Sequence, residues 1–383
     1  MTEAAGERAC LAPMTTSATT SRLLLSSPVD ILVAVPYLVG FHPARSLVVI
    51  GLTGEAPHGQ LCLTTRWDLP LPEDGLDPLL PLLRREGVTQ VIVVGYGPGA
   101  LATPAVDAVR DLAREAGLHV RDALRTEARR FWSYLCETAE CCPAEGTPFD
   151  PTVSSVAVHA TVNGLVALPD RAALEESVTG LLDPVARTAM HEATATVAAD
   201  VRARLAMHPS PDGFAAEFVA EGIARVHSSL AAAAEGVCLD DLEAARLGLD
   251  LAVVRIRDEA WTLICEEEEQ AHLLLWKDLT RRLEPRFVPP AASLLAMTSW
   301  RRGDCATAGI ALERALEIDP TYSMANLLMH ALCQLMSPKI LQDRMPNSEE
   351  LDREMGSPRL AWLTTMIGLT DPRECLPVSV GET

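Results

Sequence analysis

The chain has 383 residues, of which 52 are acidic and 32 are basic, so its formal net charge is −20. This charge argues against a nucleic-acid partner and against an anionic membrane surface, because both need clusters of lysine and arginine. The length predicts about two domains, and a hydrophobic fraction of 48% is enough to build their cores.

The chain opens with a segment at residues 1–22 that is rich in alanine, threonine and serine. It contains no apolar run that could serve as the core of a signal peptide, and we predict that it is disordered. The most apolar stretch, Val29 to Phe41, is interrupted by Pro36 and is far shorter than the ~20 residues of a membrane-spanning helix. In a long chain without a secretion signal, the ten cysteines are expected to be reduced. These features predict a cytoplasmic protein without a membrane span.

From residue 46 onwards, apolar patterns typical of strands alternate with patterns typical of helices. Apolar runs and alternations predict strands at 46–51, 61–67, 91–94, 118–124, 129–135 and 156–160. Apolar residues at helical spacing, each series followed by a glycine, predict helices at 76–86 and 105–116. Strands interleaved with helices predict an α/β domain, which we place at 23–170. Its sheet is expected to be mixed, because 129–160 reads as consecutive strands.

The pattern changes after Asp170, a plausible N-cap from which an alanine- and leucine-rich chain with helical spacing continues. We predict an all-α domain over 171–337, with a second N-cap at Asp240. Three prolines are expected to end a long helix in this domain: Pro285, Pro289 and Pro290. The tail at 338–383 is predicted to be weakly structured, apart from one apolar helix at 360–369.

One helical hairpin in the second domain has the spacing of a tetratricopeptide repeat. The matching positions are Gly303-Asp304, Ala308, Leu312, Ala315 and Pro320, and a second helix is predicted to run from Thr321 to Leu335. About three such repeats are needed for an independent solenoid, and the chain has no clear tandem copies. We therefore expect a tetratricopeptide-like hairpin inside a larger helical domain, able to dock a protein partner or to serve the core.

Three groups of short motifs carry a resemblance to a known family. They are SPVDIL, VPYLVGFHP and SLVV between residues 27 and 49, RFWSYLC, CCP and EG between residues 130 and 146, and WRRGD at 300–304. In these motifs the chain resembles the actinobacterial family known as domain of unknown function 4192. The resemblance covers residues 20–335, and it implies no activity, substrate or cofactor.

The strongest candidate site is a cluster of three cysteines, Cys136, Cys141 and Cys142, within seven residues. Thiolates are preferred zinc ligands, and His42 from another motif is a candidate fourth ligand. The spacing is unusual for a zinc knuckle, which favours two to four residues between ligands. A second interpretation is a reversible disulfide, with the Arg129–Arg130 pair lowering a thiol pKa. The third is a packed turn without chemistry.

A second candidate is the loop at 40–46, in which a histidine, an arginine and a serine precede a buried strand. Such a loop could bind an anion or shuttle a proton, and its simpler interpretation is a rigid connector set by glycine and proline. We name Arg45, Arg130 and Trp132 as further candidate site residues beside His42.

These observations leave two classes of function open. The first hypothesis is a binding or scaffolding protein whose helical half docks a partner. The alternative is an enzyme of unassigned reaction, or a thiol or metal site, formed by the cysteine cluster and the His42 loop. Catalytic residues and a substrate do not follow from the sequence.

Overall fold

The computed structural model describes residues 27–370, apart from Pro57, 163–165, 181–182, Glu266 and 339–345. The segment predicted to be disordered, 1–22, lies outside the described residues. Within the described ranges, the chain forms one mixed six-stranded sheet with helices packed on it, followed by a helical region. The predicted fold class is confirmed at this level. In the same ranges, no helix is both long and apolar enough to cross a bilayer.

The strands of the sheet are β1 (Ser46–Thr53), β2 (Gln60–Asp68), β3 (Gln90–Tyr96), β4 (His119–Glu127), β5 (Arg130–Ser133) and β6 (Thr147–Pro148). Their order is β2-β1-β3-β4-β5-β6. Only the pair β3 and β4 within this sheet is parallel, and the other neighbours are antiparallel. The confirmed strand predictions are those at 46–51, 61–67, 91–94, 118–124 and 129–135.

Both faces of the inner strands are covered, which explains their continuous apolar sequences. Alternate residues point to opposite faces. Val49 belongs to the face that packs against α2 (Leu79–Arg85) and α3 (Gly99–Glu115). Val48 belongs to the face that packs against α1 (Pro28–Val39) and continues into the core of the helical region.

Helix α1 forms over the apolar stretch that contains Pro36. The hydroxyl of Ser27 accepts a hydrogen bond from the backbone N–H of Asp30, and the Asp30 carboxylate accepts one from the N–H of Ser27. This capping box fixes the first turn, and Gly40, with a φ of +86°, ends the helix. Pro36 removes one helical hydrogen bond, but burial of α1 against the sheet keeps the helix intact.

Helix α4 (Ser155–Val162) occupies the stretch that was predicted to form a strand at 156–160, so that prediction is wrong. Val156 and Ala160, four residues apart, are both buried, whereas Val158 is exposed. Burial therefore follows a helical spacing. Val156 packs against α1, so this tertiary contact outweighs the strand preference of the valines.

The helical region contains α5 (Arg171–Thr179), α6 (Pro184–Met207), α7 (Pro211–Ala234), α8 (Asp241–Asp250), α9 (Val254–Thr262), α10 (Glu269–Arg282), α11 (Val288–Arg301), α12 (Cys305–Ile318) and α13 (Ser323–Cys333). Both predicted N-caps are confirmed. The carboxylate of Asp170 accepts the N–H of Ala173 at 2.8 Å, and that of Asp240 accepts the N–H of Glu243 at 2.8 Å.

The prolines at the start of α11 do not have the predicted role. Helix α10 ends before Pro285 as expected, but Pro289 and Pro290 lie in the first turn of α11 rather than at the end of a helix. A proline fits there because the first N–H groups of a helix have no intrahelical partner. All residues of Val288–Trp300 are buried, so α11 forms the centre of the helical core.

Helices α12 and α13 form the predicted hairpin next to α11. Gly303, which precedes α12, has a φ of +81°. The carboxylate of Asp304 caps α12 by accepting the N–H of Thr307 at 3.0 Å. Membership of the tetratricopeptide class stays a prediction, as do the domain boundaries at 22, 170 and 337.

The tail at 338–383 contains ordered helices where the structure describes it. These are α14 (Ser348–Met355) and α15 (Thr364–Leu369), the latter preceded by a 3-10 turn at Leu360–Leu363. Leu351, Leu363 and Met366 from these elements are buried. The expected apolar helix at 360–369 is therefore present as a 3-10 turn and a short α-helix, and 348–355 is more structured than predicted.

Candidate metal centre

The thiol turn (residues 134–146) connects two short strands at one edge of the sheet. Strand β5 enters the turn and β6 leaves it, and backbone pairing joins Phe131 to Thr147 and Arg130 to Pro148. This pairing closes the turn at its base and so fixes where its cysteines lie.

Two side chains of β5 hold the returning half of the thiol turn. The guanidinium of Arg130 donates hydrogen bonds of 2.8 Å to the carbonyls of Glu145 and Gly146. The indole N–H of Trp132 donates at 2.9 Å to the carbonyl of Ala144. Successive carbonyls of the turn are thus each bound by a side chain, which restrains the backbone beside the cysteines.

The Trp132 ring is fixed from two sides. Gly146 has a φ of +82°, and a Cβ added there would come within 2.5 Å of the ring, so only glycine fits. The guanidinium carbon of Arg125 lies 3.5 Å from the ring centroid, in stacking contact. Arg125 is itself oriented by an ion pair of 3.0 Å with Glu127. The Arg130, Trp132 and Gly146 of the family motifs therefore build the scaffold of the turn.

The chain reversal inside the turn depends on two threonines. The carbonyl of Thr138 accepts the backbone N–H of Cys141 at 3.2 Å and that of Cys142 at 2.9 Å. The hydroxyl of Thr147 donates to the carbonyl of Cys141 at 3.1 Å. These bonds return the two adjacent cysteines towards Cys136.

The three thiols consequently meet at the protein surface. The Sγ atoms of Cys136 and Cys141 are 2.9 Å apart, and those of Cys141 and Cys142 are 3.7 Å apart. All three Sγ atoms lie within 4.8 Å of one another. Cys141 is exposed, and Cys136 and Cys142 are half-buried, so solvent and small solutes reach the cluster.

The thiols share their protons unequally. The pKa of Cys136 is lowered to about 7, first by hydrogen bonds from the thiols of Cys141 and Cys142 and then by the N–H of Thr138. The pKa of Cys142 is raised to about 12, chiefly because its thiol bonds to the Cys136 sulfur. The pKa of Cys141 is raised for the same reason. These hydrogen bonds are the leading causes of the lowered pKa of Cys136, and a contribution from the Arg129–Arg130 pair stays a prediction.

The donor set fits a soft divalent metal. Tetrahedral zinc with Zn–S bonds of about 2.3 Å places its sulfur ligands about 3.8 Å apart. The separation between Cys141 and Cys142 already has this value, and the other sulfur atoms need side-chain movements of about 1 Å. Within the described part of the chain, the group contains these three thiols and neither an imidazole nor a carboxylate.

The structure does not bring His42 to the thiols. Its exposed side chain lies in the loop between α1 and β1, and its N–H donates to the carbonyl of Leu168 at 2.9 Å. Strands β3 and β4 separate β1 from β5, which is three strand spacings, roughly 14 Å. Arg45 belongs to the same loop, where its carbonyl accepts the N–H of Leu69 at 2.8 Å and its φ is +46°. The loop connects α1 to β1, and anion binding or proton transfer by His42 or Arg45 stays a prediction.

Sequence reasoning missed the residues that shape the thiol turn. Thr138 follows Cys136 by two residues, and its backbone N–H bonds to the Cys136 sulfur; the short spacing within a turn could have identified it. Thr147 and Arg125 contact the turn only through the pairing of β4, β5 and β6, so no local pattern signals their roles.

Comparison with known proteins gives a family and no activity. No curated protein and no solved structure matches the chain. The family described as Domain of unknown function (DUF4192) matches residues 28–339, which include the whole sheet, the thiol turn and the helices up to α13. This confirms the resemblance carried by the sequence motifs, while the actinobacterial origin that it implies stays a prediction. The chain belongs to the DUF4192 family.

Proposed function

We propose that the thiol turn binds one zinc ion, or a comparable soft divalent metal, through the thiolates of Cys136, Cys141 and Cys142. The observation that carries the proposal is the convergence of the three Sγ atoms within 4.8 Å on a turn held by side-chain hydrogen bonds. Thiolates are the ligands that zinc prefers, and a turn that holds the three thiols close together lowers the entropy lost on binding.

Hydrogen bonds around the thiols support the assignment. Metal sites depend on an outer layer of hydrogen bonds that orients the ligands, and loss of one such bond typically weakens affinity about 10–100-fold. Here the N–H of Thr138 bonds to the Cys136 sulfur, and Arg130 and Trp132 fix the backbone of the returning half.

Three protein ligands leave the fourth position of a tetrahedral ion open. Structural zinc sites are closed by four protein ligands, whereas sites that keep an open position bind water or a substrate there. The exposure of Cys141 puts this position at the protein surface. An enzyme of unassigned reaction, the alternative from the sequence, would use this open position, and the reaction itself stays unassigned.

The test is the metal content of protein purified under reducing conditions and loaded with zinc alone. Wild-type protein should hold close to one equivalent after gel filtration, and Cys141→Ser and Cys142→Ser should each lose most of it. Cys333→Ser is the matched control, because Cys333 is an exposed cysteine on α13. Equal zinc content in wild type, Cys141→Ser and Cys142→Ser would reject the proposal.

The scaffolding hypothesis concerns a different part of the molecule. The hairpin of α12 and α13 lies next to α11, and docking of a protein partner on the helical half stays a prediction. A pull-down from native lysate with the full chain and with Cys141→Ser separates partner docking from metal binding. A partner docked on the helical half should be retained by both proteins, because that surface does not depend on the thiols. A cytoplasmic location and the lack of a nucleic-acid partner also stay predictions.

A further inference from the structure

We propose that the thiol turn is also a peroxide-reactive dithiol, in which oxidation joins Cys136 to Cys141 and expels the metal. The inference rests on the proposed metal site for its metal-release part, whereas disulfide formation can occur in the metal-free chain. The oxidant class is a hydroperoxide, with hydrogen peroxide as the probe.

The distances select the pair that reacts. A disulfide has an S–S bond of about 2.0 Å, and the Sγ atoms of Cys136 and Cys141 are 2.9 Å apart, against 3.7 Å between Cys141 and Cys142. The adjacent cysteines could bond only by distorting the planar peptide between them, which is costly. Of these two sulfur–sulfur contacts, the one between Cys136 and Cys141 is therefore favoured, and Cys142 lies within 4.8 Å of both sulfur atoms.

The backbone of the turn already has the curvature that this bond needs. The carbonyl of Thr138 accepts the N–H groups of Cys141 and Cys142, so the chain between the reacting cysteines is closed without the bond. The base of the turn is paired between β5 and β6. Bond formation therefore needs side-chain rotation rather than rearrangement of the fold.

The sulfur atoms of both reacting cysteines are accessible to the oxidant. Cys141 is exposed and Cys136 is half-buried at the surface, so a small hydroperoxide can reach either sulfur. Reactive cysteines in proteins typically lie in such partly exposed positions, whereas buried structural cysteines are inert.

The chemistry proceeds in two steps that balance. The Cys136 thiolate attacks one oxygen of hydrogen peroxide, the O–O bond breaks, and after uptake of one proton a sulfenic acid and water are formed. The Cys141 thiolate then attacks the sulfenic sulfur, and the hydroxide that leaves takes up a proton to become a second water. Two thiols are oxidised by two electrons and one peroxide is reduced to two waters.

Oxidation removes two of the three proposed ligands at once. Cys142 alone cannot retain zinc, because affinity depends on ligand number and on deprotonated ligands. Bound zinc is therefore expected to fall from close to one equivalent to below about a tenth of an equivalent as the disulfide forms.

The experiment treats the full chain, zinc-loaded and metal-free, with one equivalent of hydrogen peroxide. Thiol counting, peptide mapping and a chromophoric zinc chelator are the readouts. We expect loss of two thiols per chain, a Cys136–Cys141 peptide and zinc release at the same rate. In the metal-free chain, Cys142→Ser should still form the bond and Cys141→Ser should not, whereas Cys333→Ser should behave as the wild type with and without zinc.

The outcomes separate this inference from the proposed function. If the chain binds no zinc, the proposed function fails, and the disulfide in the metal-free chain still decides the redox inference. Unchanged thiol counts, or a bond between Cys136 and Cys142, would overturn the redox inference even in a chain that holds one equivalent of zinc.

Discussion

The indole ring of Trp132 lies directly against the backbone of Gly146, at the point where the thiol turn returns to the sheet. The ring occupies the space that a side chain at Gly146 would need, while its N–H holds the carbonyl of Ala144. Trp132 therefore fixes the path of the backbone at Ala144 and excludes any side chain at Gly146. We expect the arrangement of the three thiols to depend on this contact.

Replacing Gly146 with alanine should disrupt the turn. The positive φ of +82° and the Trp132 ring both oppose a Cβ. A left-handed conformation alone costs an alanine roughly 1–2 kcal/mol, and 1.4 kcal/mol corresponds to a tenfold change in affinity. We expect zinc affinity, measured by competition with a chelator, to weaken by about tenfold or more.

The matched control for that variant is Gly303→Ala. Gly303 has a φ of +81°, but among the residues that the structure describes, its two chain neighbours apart, no atom lies within 4 Å of a Cβ placed there. Gly303→Ala should therefore carry only the strain of the left-handed conformation, lose less stability than Gly146→Ala, and keep the zinc affinity of the wild type. Equal zinc affinities in both glycine variants would contradict the role given to Trp132.

Arg130→Lys should weaken metal binding while preserving charge. A lysine ammonium cannot hold two adjacent carbonyls with the fixed fork of a guanidinium, so one of the bonds to Glu145 and Gly146 is lost. The expected loss is about tenfold in zinc affinity. Arg129→Lys, at the exposed neighbouring position, is the control and should bind zinc as wild type does. An Arg130→Lys protein with unchanged affinity would show that the guanidinium is dispensable.

The buried His272 should make stability depend on pH. Its pKa is lowered to about 4, chiefly by burial, and it accepts the N–H of Trp276 at 2.9 Å. The unfolded chain, with a histidine pKa near 6.5, binds the proton first as pH falls. The contribution of neutral His272 to the free energy of unfolding is therefore complete above about pH 6.5. It decreases as the pH falls from about 6.5 to about 4, by at most roughly 3 kcal/mol in total.

Urea unfolding at several pH values tests this dependence. His272→Gln should be less stable at pH 7 and should show a shallower decline between pH 6.5 and 4 than the wild type. His330→Gln, on the exposed side of α13, should match the wild type. Parallel pH profiles for His272→Gln and wild type would refute the assignment.

The Arg255 side chain ties α14 to the helical core. Its guanidinium is buried and pairs with Glu259 at 2.7 Å and with Asp352 at 2.7 Å. Arg255→Met removes the arginine from the buried Glu259, which keeps only its contacts with His227 at 3.2 Å and with the Ser348 hydroxyl at 2.7 Å. Breaking a buried ion pair in this way typically costs about 3–5 kcal/mol. Asp352→Asn removes a carboxylate that is 69% exposed and should cost less than about 1 kcal/mol.

Chemical denaturation measures both variants. The decisive result is that Arg255→Met loses more stability than Asp352→Asn. This order is expected because the loss comes from the buried charge of Glu259 and not from the number of ion pairs. A loss in Asp352→Asn as large as that in Arg255→Met would mean that docking of α14, rather than neutralisation of Glu259, controls stability there.

Local patterns were sufficient to predict much of the fold. The apolar runs of β1 and β3 and the caps at Asp170 and Asp240 carry their information within a few residues, and the structure confirms them. The strand predicted at 156–160 was wrong because its valines alternate as in a strand, while contact with α1 decides which of them are buried. Pro289 likewise marks a helix boundary without showing which helix it belongs to.

The candidate site, too, was predictable from the sequence only in part. The convergence of Cys136, Cys141 and Cys142 was predictable, because these cysteines are close in sequence and a single turn can join them. The exclusion of His42 was not predictable, because it depends on the order of four strands. Arg130 was recognised as a site residue, but its bonds to two backbone carbonyls follow only from the pairing of β5 with β6.

X-ray absorption spectroscopy of the zinc-loaded chain tests the central claim most directly, because it reports the number and type of atoms bound to the metal. The account predicts three sulfur ligands at about 2.3 Å and one oxygen or nitrogen ligand at about 2.0 Å. In Cys141→Ser the sulfur number should fall. A shell made only of oxygen and nitrogen, or one unchanged by Cys141→Ser, would contradict the assignment of the thiol turn as the metal site.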